Sequence, residues 1–335
     1  MKSFRWAEPQ SIEQAVALLA KGNGSAVLMA GGTDLLTEIK EGVASPEIVI
    51  DVKSIPGLDF VTREKGMLRI GAAASVAGLA ADPEIEAGYP GLRQAALSLA
   101  TPQLRHVGTV GGNLCQRPRC WYYRDAQAAC RKKGGSRCFA FRGRNKYHAI
   151  LGGGLCYAVC PSDLAPALIS LDAQVVIASL RGDKTMPLAE FFVLPAKNVR
   201  RENILGVDEM LREVRLPSAG KGGKSVYVKL RERGTWDFAL VSAAVKGTVS
   251  GKRVKDVRIV LGGVAPIPWR LAKAEASLQG KNLDERLIKE AVRSDLQEAK
   301  PLEENGYKTH LAEAAVSRAL LALVEGIAGR TAAGF

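Results

Sequence analysis

Two glycine bends and one spread of cysteines are the residues whose types and spacing point to chemistry. Ala30-Gly-Gly-Thr-Asp34 and Thr109-Val-Gly-Gly-Asn113 each set consecutive main-chain amides where no β-carbon blocks approach, with a hydroxyl beside them. Such bends can cradle a diphosphate. Gly-Gly pairs also occur in ordinary turns, and neither bend has the spaced glycines of a nicotinamide-binding fold or a Walker-type loop. Cys120, Cys130, Cys138 and Cys156 are separated by 9, 7 and 17 residues, wider than the close pairs of a zinc ribbon. Four such thiolates suit a structural zinc ion or an iron–sulfur cluster. A four-thiolate cluster is anionic, and Arg119, Arg124, Arg131, Lys132, Lys133, Arg137 and Arg142 stand near these positions, where they would offset its charge and raise its potential. Cys115 and Cys160 read equally well as free buried thiols. His106 and His148 read as hydrogen-bonding residues. No Ser-His-Asp set, carboxylate pair or nucleophile elbow is legible. The aromatics Trp121, Tyr122 and Tyr123 suit packing around a cofactor better than base stacking on RNA.

The whole chain bounds these readings. Its 335 residues, 47% hydrophobic and 24% charged, suffice for two or three packed units. No apolar run approaches the roughly 18 to 20 residues of a membrane span, and the first ten residues lack a secretory pattern. A cytoplasmic location is expected, with export only as a folded complex through a partner's signal. A net charge of +13 raises nucleic-acid binding as a class, but eleven Lys or Arg against the single Asp125 fall between Arg105 and Lys146. Charge so concentrated, in a stretch that also holds Cys115, Cys120, Cys130 and Cys138, suits a bound anionic group, so no nucleic-acid partner is expected. Six cysteines without a secretion signal point to metal or redox use rather than disulfides.

The elements that must position these residues follow from pattern. Ser11 and Gln14 resemble a capping box before the apolar face Ala15, Leu18, Leu19. Ala26–Ala30 predicts a buried strand leading through the first bend into a helix at Leu35–Lys40, and Glu47–Val52 a second strand. Short strands at Asp59–Thr62 and Met67–Gly71, then helices at Ala72–Ala81 and Leu92–Ala100, mark a boundary near residue 55. The cysteine-bearing stretch has little period and reads as irregular, a length of loop that needs a function or a staple to order it. Beyond it come a helix at Ala165–Leu171 and a strand at Ala173–Leu180. Lys221–Lys224 reads as a linker. Runs at Ser225–Arg231, Ala239–Val249 and Val254–Leu261 predict three antiparallel strands, with helices at Pro268–Leu278, Asp284–Val292 and His310–Glu325 on one face.

Taken together, Ala30-Gly-Gly-Thr-Asp-Leu35, Ala100-Thr-Pro-Gln-Leu-Arg-His-Val-Gly-Thr-Val-Gly-Gly-Asn-Leu114 and Pro161-Ser-Asp-Leu164 resemble the flavin subunit of molybdenum hydroxylases of the xanthine dehydrogenase type. Gly262–Arg270 is similar to that family's C-terminal domain. The resemblance runs over nearly the whole chain. It implies an α+β protein: a two-subdomain FAD-binding fold of the vanillyl-alcohol oxidase (PCMH) type at 1–55 and 56–220, with an iron–sulfur insertion at about 115–160, then a small α+β domain at 225–330. It implies FAD contacts at Leu28, Met29, Ala30, Gly31, Gly32, Thr33, Asp34, Leu35, Thr101, Thr109, Gly111, Gly112, Asn113, Asp163 and Lys229, and no catalytic side chain. The cysteine insertion resembles that of 4-hydroxybenzoyl-CoA reductase and bacterial periplasmic aldehyde oxidoreductase, which implies a [4Fe–4S] cluster on Cys120, Cys130, Cys138 and Cys156, with Cys156 rather than Cys160 as the fourth ligand. The implied partners are a large molybdenum-cofactor subunit, a small subunit with two [2Fe–2S] clusters, and an external electron carrier such as ferredoxin.

Overall fold

The computed structural model describes residues 1–218, 220, 223–234 and 236–326, and all that follows concerns these. The chain opens with three short strands, β1 (Arg5–Ala7), β2 (Ala26–Met29) and β3 (Ile48–Asp51), in a parallel sheet of order β1-β3-β2. Parallel neighbours need crossovers, supplied by helices α1 (Ile12–Gly22) and α2 (Leu35–Lys40). Ser11 caps α1, its hydroxyl accepting from the Gln14 amide at 3.3 Å, while Gln14 accepts from the Gln10 amide at 2.8 Å. Asn23 in the left-handed region ends it. Ala15, Val16 and Leu19 of α1 meet Ala26 and Ile50 in a small core of their own.

A second, antiparallel sheet has the order β4-β5-β8-β6-β7, from β4 (Val61–Glu64), β5 (Met67–Gly71), β6 (Gln174–Ala178), β7 (Lys184–Pro187) and β8 (Met210–Pro217). Between β5 and β6 run α3 (Val76–Ala81), α4 (Pro83–Gly88), α5 (Pro90–Leu97), α6 (Pro102–Val107), α7 (Val110–Cys115), the single turn α8 (Trp121–Arg124) and α9 (Leu164–Ser170). The helix expected from Ala72 begins only at Val76, because the amides of Ala72 and Ala73 are committed to the carbonyls of Arg212 and Leu58. The second glycine bend is the first turn of α7, with Thr109 as its cap. The cysteine-bearing stretch is mostly irregular, broken by α8 and two 3-10 turns.

The C-terminal sheet has four strands among the described residues, not three: β9 (Gly223–Leu230), β10 (Val241–Ser250), β11 (Arg253–Gly262) and β12 (Trp269–Arg270), antiparallel and sequential. The two residues of β12 are too few to carry a strand period, and they lie inside a segment expected to be helical. Of the expected linker Lys221–Lys224, the first two residues lie outside the described ones, and Gly223 and Lys224 belong to β9. Helices α10 (Ala272–Leu278), α11 (Glu285–Leu296) and α12 (Tyr307–Glu325) cover one face, and α5 and α9 cover the other. Alternation along β9 divides its side chains accordingly. Val226 and Val228 enter the C-terminal core, and Tyr227 enters the core of the preceding domain.

Candidate functional site

The two glycine bends lie against each other. A β-carbon on Gly31 would overlap the Val107 carbonyl oxygen, and one on Gly112 would sit 3.6 Å from that of Ala30. Gly32, at φ +69°, lets the chain turn from β2 into α2 in a conformation that side-chain-bearing residues seldom adopt. Where the bends meet, a groove of about 620 Å³ opens. Residues 27–35 form one wall, Thr109, Gly112 and Asn113 the floor, and Leu99, Ala100, Leu104, Asp163 and Phe238 much of the rest. Ala100 stands in the left-handed region at φ +44°, a strained setting for alanine at the groove's edge.

Of the expected cofactor residues, Leu28, Met29, Ala30, Gly31, Gly32, Thr33, Asp34, Leu35, Thr109, Gly112, Asn113 and Asp163 line this groove. Three are set back from it. Thr101 caps α6 by accepting from the Leu104 amide at 3.3 Å. Gly111 packs against the Ala72 main chain, where a β-carbon would come 2.8 Å from a carbonyl oxygen. Lys229 on β9 forms a buried ion pair with Asp163 at 2.7 Å and also donates to the Ser98 carbonyl at 3.3 Å. The Tyr227 hydroxyl donates to the other Asp163 oxygen at 2.7 Å, and burial beside that carboxylate holds this phenol far above its ordinary range. Asn113 accepts from the Ser162 hydroxyl at 2.6 Å, which ties the second bend to the turn before α9. Leu99, Gln116, Arg117, Arg119, Trp236 and Phe238 also line the groove and were not read from sequence. The run Arg117-Pro-Arg119 beside the second bend was a usable signal for two of them. Trp236 and Phe238 arrive from a loop more than 120 residues away and left none.

These residues fit FAD. A long groove with main-chain bends on one wall and a lysine–aspartate pair behind it can receive a dinucleotide. Asp34 would repel a diphosphate if unpaired, but one carboxylate oxygen accepts from Arg119 and Arg124 at 2.6 and 2.5 Å and the other from the Arg117 amide at 2.7 Å. Asp34 thus anchors the cysteine-bearing segment to the first bend.

The fold gathers the four expected ligand cysteines. Cys138 and Cys156 lie close enough to act on each other, which lowers the Cys138 thiol and raises that of Cys156. Cys120 lies within electrostatic reach of Cys130 and Cys138, and burial pushes its thiol up to about 11. The Ala158 amide donates to the Cys156 sulfur at 3.5 Å. His148 stands 3.2 Å from the Cys120 sulfur through Nε2, and burial holds its imidazole down at about 4. Cys160 lines, together with Cys120, a neighbouring cavity of about 410 Å³, its thiol pushed up to about 12 by burial, and the Cys115 thiol is likewise raised to about 12. Among the described residues no three His, Cys, Asp or Glu side chains converge on a point that suits a single metal ion. Four thiols in one neighbourhood are a donor set that either an iron–sulfur cluster or a zinc ion would take.

The basic character of this segment is largely spent inside the protein. Arg117 and Lys132 pair with Glu202, Arg119 and Arg124 with Asp34, Arg144 with Glu304, and Lys146 with Glu232. Of the seven cations expected to offset a bound anion, Arg119, Arg124 and Lys132 are paired with carboxylates, Arg131 and Lys133 donate to the carbonyls of Ser136 and Asp125, and Arg137 and Arg142 are exposed.

Comparison with known proteins agrees with this geometry. Residues 2–219 match the FAD binding domain in molybdopterin dehydrogenase, and residues 226–323 match the CO dehydrogenase flavoprotein C-terminal domain. The chain is 37% identical to the aldehyde oxidoreductase FAD-binding subunit PaoB of Escherichia coli K12, covering 96% of this chain and 98% of that one. It is 30% identical to the carbon monoxide dehydrogenase medium chain of Hydrogenophaga pseudoflava, over 95% and 96% of the two chains. A solved structure of carbon monoxide dehydrogenase from that organism superimposes with a TM-score of 0.76 at 29% identity, over 96% of this chain and 97% of that one. A CO dehydrogenase from Oligotropha carboxidovorans shares the fold, with a TM-score of 0.77 at 24% identity over 97% and 98%. The groove, the order of the domains and these likenesses converge: the chain belongs to the FAD-binding medium subunits of the molybdopterin hydroxylases and is an oxidoreductase subunit of that family.

Proposed function

We propose that the groove holds an extended FAD, with its diphosphate across Leu28–Leu35 and Thr109–Asn113 and its flavin toward Asp163 and Phe238. The observation that carries this reading is the meeting of the two bends at one groove, with Gly31 held against the Val107 carbonyl just before the second bend. Thr101, Gly111 and Lys229 act from behind: one caps α6, one seats the second bend, and one neutralises Asp163. The division at 1–55, 56–220 and 225–330, with a vanillyl-alcohol oxidase type fold in the first two, is supported by three separate sheets, β1–β3, β4–β8 and β9–β12.

FAD, when bound, supplies exchange between two-electron and one-electron transfers. The chain's residues bind and orient it, exclude water with Leu99, Leu104 and Phe238, and set the local charge through Asp163–Lys229 and Asp34–Arg119–Arg124. None of them stands as an acid or base toward an organic substrate.

The same reading gives the chain its own [4Fe–4S] cluster on Cys120, Cys130, Cys138 and Cys156, supported by their grouping and by the Ala158 amide at the Cys156 sulfur. Cys120 and Arg119 line the 410 Å³ cavity, and Arg119 also lines the flavin groove, so cluster and flavin would be neighbours. The partners are a molybdenum-cofactor subunit, a subunit with two [2Fe–2S] clusters, and an external carrier. The carrier, of which an acidic ferredoxin is the candidate, would meet the exposed Arg137 and Arg142 beside Cys138.

The purified chain alone, with FAD, should exchange electrons with dyes and turn over no aldehyde, purine or aromatic thioester. Steady turnover of such a substrate by the chain alone would instead establish a free-standing flavin oxidase.

A further inference from the structure

The opening of α12 and the residues before it grip the end of the cysteine-bearing segment. Glu304 accepts from the amides of Asn145 and Lys146 at 2.7 and 3.2 Å, and its own amide donates to Asn145 at 2.9 Å. Asn305 donates to the carbonyl of His148 at 3.1 Å, and Tyr307 to that of Lys146 at 2.9 Å. Lys308, fully buried, donates to the carbonyls of Tyr147 and Gly263 at 2.9 and 2.7 Å. With a weaker bond from Asn305 to the Ala149 carbonyl at 3.4 Å, these contacts hold residues 145–149, and that stretch carries one buried imidazole. It is His148.

The imidazole is buried, flanked by Trp121 with ring centroids 5.8 Å apart, with Nε2 3.2 Å from the Cys120 sulfur. Nδ1 is buried without a hydrogen-bond partner. An imidazolium, or the neutral form protonated at Nδ1, would strand an N–H there, and orphaned buried donors are rarer than orphaned acceptors. The proton therefore sits on Nε2 and points at sulfur.

We infer that His148 is a positioning residue whose Nε2–H hydrogen bond to the Cys120 sulfur raises the reduction potential of the iron–sulfur centre, with residues 304–308 holding the ring in register. This rests on the cluster reading above. Reduction adds one electron to an already anionic centre, and a donor on a ligand sulfur stabilises the added charge.

The test is an anaerobic redox titration of the assembled complex, followed by electron paramagnetic resonance of the reduced cluster, with iron and sulfide measured on each sample. In His148→Phe the ratio of reduced to oxidised cluster at a fixed potential should fall about tenfold, which is about 59 mV for a one-electron couple. In His148→Gln, which keeps an N–H near the same place, most of the shift should be recovered. Wild-type midpoints in both variants at full iron content overturn the inference. Should His148→Phe fail to assemble, histidine labelled with nitrogen-15 in the wild-type complex decides. A weak nitrogen coupling to the reduced cluster supports the hydrogen bond, while no coupling, or the strong coupling of a directly ligated nitrogen, overturns it. Absence of iron and sulfide from the wild-type complex sinks the cluster reading itself, a result distinct from all of these.

Discussion

Replacing Lys229 by methionine isolates the charge balance at the inner end of the groove. Asp163 and Lys229 are 2.7 Å apart with side chains only 6% and 3% exposed, so the pair is buried. Removing the ammonium leaves a carboxylate whose remaining strong donor is the Tyr227 hydroxyl. Breaking a buried pair by removing one partner costs about 3–5 kcal/mol, because the other charge stays desolvated and uncompensated. At about 1.4 kcal/mol per decade this is roughly two to three and a half decades in the folding equilibrium. Asp163→Asn strands the Lys229 ammonium in turn, leaving it the Ser98 carbonyl, and should cost a comparable amount. The double variant should recover part of the loss, since neither charge is then stranded. Urea unfolding of the full chain, with and without added FAD, measures all three. A Lys229→Met variant within about 1 kcal/mol of wild type would refute the reasoning, and so would a double variant whose cost is the sum of the singles.

Other parts of the account give shorter tests. Gly31→Ala drives a methyl into the Val107 carbonyl, an overpacking cost of about 1–3 kcal/mol, and should lower bound FAD per chain at least tenfold by absorbance. Asp34→Ala removes the partner of Arg119 and Arg124 and the acceptor of the Arg117 amide, and should cost about 2 kcal/mol, discounted for partial exposure. The cysteine-bearing segment should then be cleaved faster in limited proteolysis while the β1–β3 sheet stays protected. Glu38 is buried under Tyr123, whose hydroxyl donates at 2.6 Å, and burial raises its carboxyl above the usual range. A carboxyl with a raised folded-state pKa binds its proton more tightly when folded, so stability falls as pH rises through that value. Glu38→Gln should therefore raise the melting temperature at pH 8, with the gain shrinking toward pH 5. A gain that grew on acidification would reverse the assigned sign.

What the sequence disclosed was local. The strand, glycine bend and helix at residues 26–40, the three long C-terminal strands and the irregularity of the cysteine-bearing stretch follow from short-range pattern, and the structure has them. What it concealed depends on distant partners. β8 was missed because Arg212, Glu213 and Arg215 interrupt its apolar pattern, yet Glu213 is buried against Arg69 and Arg215 in the finished sheet. β12 needs only two residues, supported by the edge of β11. The basic run looked like a free cationic face until Asp34, Glu202, Glu232 and Glu304 arrived from elsewhere in the chain. Of the groove, residues 28–35 and 109–113 were legible because glycine pairs signal bends. Trp236 and Phe238 were not, since a loop aromatic gives no clue to the wall it will cover.

The central claim is that one chain carries a flavin between its glycine bends and an iron–sulfur cluster on four gathered thiols. Flavin, iron, acid-labile sulfide and zinc measured together on the anaerobically purified complex, with iron repeated in Cys156→Ser and Cys160→Ser, test it most directly. One flavin and about four irons and four sulfides attributable to this chain are expected, with the iron and sulfide lost in Cys156→Ser and kept in Cys160→Ser. Flavin without that iron, zinc in its place, or loss only in Cys160→Ser would contradict it.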